Sequence, residues 1–99
     1  MASRQVSLSV NDVPIALDGF VQGYIYHVVS GILSSLKGTG EIQNVDLAVE
    51  EDRVLVLLND AEVLLNPFTT RIIRNTLVGM VSALKGVSTV QRMKVSIQR

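Results

Sequence analysis

A chain of 99 residues that is 47% hydrophobic and 18% charged has the material for one aliphatic core and is not a disordered polymer. With no cysteine it can form neither disulfides nor thiolate metal sites, and its single histidine cannot build a transition-metal centre alone. Net charge is zero, yet residues 1–52 carry a balance of −5 and residues 53–99 a balance of +5. Between two halves of one fold, that split means attraction to each other or to a second chain before it means nucleic acid.

Met1–Ala2–Ser3–Arg4–Gln5 leads into alternating residues without the apolar run of a signal peptide. Val6, Leu8 and Val10 alternate with Ser7 and Ser9, the period of a half-buried strand. Asn11–Asp12 tolerates positive φ and reads as a hairpin turn into Val13–Leu17, where Pro14 cannot donate to a ladder and places its strand at a sheet edge. Asp18 stands where it caps a helix of about 19 residues. Ile25, Val28 or Val29, Ile32 and Leu36 form that helix's apolar stripe, and Lys37–Gly38 its end. The helix contains the longest apolar run, Tyr24 to Leu36, which is too short to span a bilayer. A soluble, cytoplasmic protein without a membrane partner is expected. Val45, Leu47 and Val49 mark the next strand, and Glu50–Glu51–Asp52 turns the chain tightly.

The same order then begins again. Val54–Ile97 overlays Val6–Val49 at an offset of 48 residues with no gap, and 12 of the 44 positions are identical. Asn59–Asp60 repeats the turn, Glu62 takes the edge position, and Asn66–Pro67 opens the helix. Ile73, Leu77, Met80 and Leu84 repeat the stripe, Lys85–Gly86 the helix end, and Met93, Val95 and Ile97 the final strand. A period this long makes each copy a supersecondary unit that cannot bury its apolar face alone. The expected fold is a single α+β domain over 1–99 built of repeats 6–49 and 54–97. It is a tandem ββαβ arrangement with pseudo-twofold symmetry, a largely antiparallel sheet and two helices packed on one face. The two post-helix strands are expected near the axis, with Asp46 approaching its counterpart Lys94.

Chemistry is sparse. Phe20, Tyr24, His27, Gly31 and Ser34 share one helical side, mirrored by Phe68, Ile72, Asn75, Gly79 and Ser82. Glycine inside a helix costs roughly 1 kcal/mol relative to alanine, so Gly31 and Gly79 call for a reason, and close contact between helices is the expected one. The alternative is a small apolar ligand bound near Tyr24, Tyr26 and His27. No base, nucleophile or orienting carboxylate is spaced around His27, no glycine cluster opens a helix after a strand, and the acidic run at 50–52 reads as a solvated turn. No enzyme, cofactor or metal site is expected. Arg71, Arg74, Lys85, Arg92, Lys94 and Arg99 are scattered without interleaved aromatics, a weak signal for nucleic acid. The outward positions differ between the copies: Ser7, Ser9 and Ala16 correspond to Leu55, Leu57 and Leu64. Those three leucines are the expected interface of a homodimer or of a protein partner, and a self-associating interaction module is the leading reading.

Overall fold

The computed structural model describes residues 5–37, 43–84, 87 and 89–98. Its elements run β1 (Gln5–Val10), β2 (Val13–Ile15), α1 (Gly19–Lys37), β3 (Asn44–Glu50), β4 (Arg53–Leu58), β5 (Ala61–Glu62), α2 (Pro67–Ser82) and β6 (Arg92–Gln98). All six strands form one antiparallel sheet in the order β2-β1-β6-β3-β4-β5. The fold is α+β, and Pro14 and Glu62 occupy the two edges, as their chemistry requires.

Local chemistry sets the turns and helix starts. Asn11 and Asp12 take φ of 52° and 68°, and Asn59 and Asp60 take 51° and 69°, so both two-residue loops have positive φ at each central position, the twist that matches paired strands. Each asparagine also clips a distant segment. Asn11 Oδ1 accepts from the Gln91 and Arg92 amides at 2.9 and 3.0 Å, and its Nδ2 donates to the Thr89 carbonyl at 2.7 Å. Asn59 Oδ1 accepts from the Gln43 and Asn44 amides at 2.8 and 3.0 Å. Each clip therefore fixes the start of a strand in the opposite half of the sequence. The helices open as expected, with the Val21 amide donating to Asp18 Oδ1 and the Thr69 amide to Asn66 Oδ1, at 2.8 and 2.7 Å. Helix α2 is 16 residues long and ends with Ala83 at the cap; Gly38 and Lys85–Gly86, the expected helix ends, lie outside the described residues.

One face of the sheet is buried. Leu8 and Val10, Val45, Leu47 and Val49, Val56, and Met93, Val95 and Ile97 point into a core closed by Ile25, Val29 and Leu33 of α1 and Ile73, Leu77 and Val81 of α2. The deepest line on each helix steps strictly by four. It passes through Leu33 and Val81, one residue beyond the expected Ile32 and Met80, which are half-buried beside it. Ser30 Oγ, on the flank of this stripe, is buried without a hydrogen-bond partner.

Two substitutions test these local causes. Asn59→Ala loses the clip and forces alanine into a left-handed conformation, so its urea unfolding should show a loss of about 2–3 kcal/mol. Asn59→Gly loses only the clip and should cost roughly 1 kcal/mol; equal costs would show that the backbone conformation carries no part of the effect. Ser30→Ala removes an unpaired hydroxyl from a helix and should raise stability by about 1 kcal/mol in the same measurement, whereas a loss would mean the hydroxyl is satisfied in solution.

Candidate functional site

Among the described residues no layer covers the face of the sheet opposite the helices. Across its middle run Ser9, Lys94, Ala48 and Leu55, and beside them Ser7, Ser96, Asp46, Leu57 and Glu62, each row read from the strand register. On the β1 side these positions are serines. On the β4 side they are leucines: Leu55 is 44% exposed and Leu57 half-buried. The Val63 amide donates to the Val56 carbonyl at 2.9 Å, extending the pairing past β5, and alternation then puts Leu64 on the Leu55 side, 87% exposed. The three leucines singled out by comparing the halves of the sequence therefore lie on one face at one end of the sheet.

Charges meet across the halves, and the expected neighbours Asp46 and Lys94 lie on one face of adjacent strands. β3 and β6 are adjacent, but their register sets Ser96 opposite Asp46 and Ala48 opposite Lys94. Asp46 takes the Ser96 hydroxyl at 2.9 Å, and no Asp46–Lys94 ion pair occurs among the described residues. The acidic half instead engages the basic half at its turns: Asp12 pairs with Arg92, and Arg74 sits 3.9 Å from Asp52 while donating to the Glu51 carbonyl. Asp12, Asp52 and Arg92 are exposed and Arg74 is half-buried, so the pairs help register more than stability. The basic residues do not gather. Arg71 and Arg74 lie on α2 and Arg92 and Lys94 on the open sheet face, with Glu50, Glu51 and Asp52 beside Arg74 and Arg92; Lys85 and Arg99 are outside the described residues. Among the described residues no group of three or more His, Asp or Glu is placed to hold a metal ion, and no helix is long and apolar enough to cross a membrane.

The outer face of the helical layer is the second uncovered surface. Phe20 and Tyr24 stack with ring centroids 6.1 Å apart and are 78% and 52% exposed; Phe68 and Ile72, at the corresponding positions of α2, are 64% and 49% exposed. An open groove of about 380 Å³ runs between the helices, lined by Phe20, Tyr24 and Ile25 from α1, Gly79 and Met80 from α2 and its cap residue Ala83. Tyr24 belongs to this groove. Tyr26 and His27 do not line it: their rings meet edge to face at 5.3 Å, with Tyr26 half-buried against the core and His27 exposed.

The close helix contact expected at Gly31 and Gly79 does not occur among the described residues. Both glycines are exposed, and a Cβ at either would meet no atom within 4 Å. The sheet order supplies the reason. α1 packs on β1 and α2 on β4, strands separated by two others, and both glycines stand on the outer sides of their helices. Phe20, Phe68 and Ile72 share a helical side with these glycines, and their position opposite Ile25 and Ile73 was the signal that they face outward.

No protein-family model, curated protein or solved structure matches this chain.

Gly31→Ala and Gly79→Ala each add helix propensity where nothing is displaced, so each should stabilise the folded chain by about 1 kcal/mol in chemical denaturation. A destabilised variant would mean that the glycines are enclosed.

Proposed function

We propose that the protein is a non-enzymatic, self-associating interaction module, built as a fused dimer of a ββαβ unit, whose contact surface is the open sheet face at Leu55, Leu57 and Leu64. The observation that carries this reading is that Leu55, Leu57 and Leu64 stand together on a sheet face that no element among the described residues covers. Apolar positions on both faces of a strand are the pattern of a strand covered on both sides, and a second copy is the cover that leaves the face dry.

The edges favour the face as the contact. β2 has three residues and contains Pro14, and β5 has two and ends on Glu62, so neither offers a long ladder for another strand. The register supports the proposed twofold: Leu47 pairs with Val95, and these two occupy equivalent positions in the repeat, so the axis would pass through this pair. Serines on one side of the face and leucines on the other then give the fused dimer a one-sided contact that a symmetric pair of units would lack.

Sedimentation equilibrium at high micromolar concentration should give a mass of at least two 10.8 kDa chains, lowered by Leu55→Lys with Leu64→Lys. Both side chains are exposed, so the variant should melt as the parent does. A wild-type chain that stays at 10.8 kDa, or a variant with undiminished mass, would contradict the proposal.

A further inference from the structure

The chain is a slab 38 by 34 Å across and 18 Å thick, measured on Cα atoms, with uncovered apolar side chains on both broad faces. Four of the seven large hydrophobic side chains exposed among the described residues, Phe20, Tyr24, Phe68 and Ile72, belong to the helical layer. We infer that this layer is a second contact surface for another copy of this chain, packed helices against helices. The inference goes beyond the sheet-face contact and rests on it only for its consequence, growth past a dimer.

Three features identify the occupant as a copy of the chain. A surface that meets itself across a twofold sets like charges near like, and α1 carries none before its last residue: Gly19 to Leu36 contains no Asp, Glu, Lys or Arg over about 27 Å of helix. Of the charges on α2, Arg74 is engaged with Glu51 and Asp52, and Arg71 stands beside Phe68 and Ile72. The surface also holds both parts of a ridge-and-groove contact. Each helix is bulky in its first half, at Phe20 and Tyr24 or Phe68 and Ile72, and small in its second, at Gly31 and Ser34 or Gly79 and Ser82. A partner presenting the same face in reverse would seat its bulky halves over the small ones and fill the groove beside Gly79. Finally, the broad face exceeds the roughly 800 Å² per partner of a standard interface. Two self-complementary contacts on opposite faces do not exhaust each other, so the chain would assemble past the dimer.

Sedimentation equilibrium on four proteins tests this: wild type, the sheet variant Leu55→Lys with Leu64→Lys, the helix variant Phe20→Lys with Phe68→Lys, and the two combined. Thermal melts establish that each is folded. A further variant, Gly31→Leu with Gly79→Leu, fills the notches at two positions where an added Cβ meets open space. The expected result is a concentration-dependent mass above two chains for wild type, two chains for the sheet variant and for each helix-face variant, and one chain for the combination. A helix variant with one chain, beside a sheet variant of wild-type mass, would uphold the helix contact and remove the sheet-face reading. A monomeric sheet variant, or helix-face variants of wild-type mass, would overturn the inference and assign the groove to a small ligand or to another protein.

Discussion

The pairing of β3 with β6 holds the rest of the structure in place. Each is the last strand of its half of the sequence, and neither lies beside its own half's first strand: β1 pairs with β6, and β4 pairs with β3. The asparagine clips follow the same crossing, with Asn11 holding the start of β6 and Asn59 the start of β3. Both ion pairs cross it too. The apolar side of the two central strands is buried beneath helices from both halves, so neither half closes a core without the other.

That pairing also shapes the surfaces. Two strands inserted between β1 and β4 carry α1 and α2 apart, opening the groove between them and leaving Gly31 and Gly79 without a neighbour. A six-stranded sheet with helices on one face leaves its other face to solvent, where leucines stand at one end and serines at the other. The proposed contacts thus belong to surfaces that the interlocked core creates and cannot itself cover.

Much of the local structure was legible in the sequence because its causes are local. Asn-Asp turns, Asp18 and Asn66 caps, Pro14 at an edge and the alternation of β1, β3 and β6 each depend on a few neighbouring residues. Strand order was not legible: alternation tells which face a residue takes, not which strand lies beside it. Asp46 and Lys94 do lie on one face of adjacent strands, but antiparallel register makes them diagonal neighbours, with Ser96 opposite Asp46 and Ala48 opposite Lys94. The contact expected at Gly31 and Gly79 likewise depends on where the two helices sit, which spacing along the chain does not contain. Of the candidate groove residues, Tyr24 lines the groove found here, while Tyr26 turns toward the core, a difference of 200° around the helix that periodicity contains but composition hides. The leucine face was found by asking where the halves differ, because shared residues serve the fold.

The most direct test of the interlocked core is native-state amide hydrogen exchange on the intact chain, read residue by residue. If neither half can close without the other, the most protected amides of β3, β6, α1 and α2 will exchange with one common opening free energy, and will lose protection together as denaturant is added. Protection in one half that survives at a denaturant concentration where the other half exchanges freely would contradict the account.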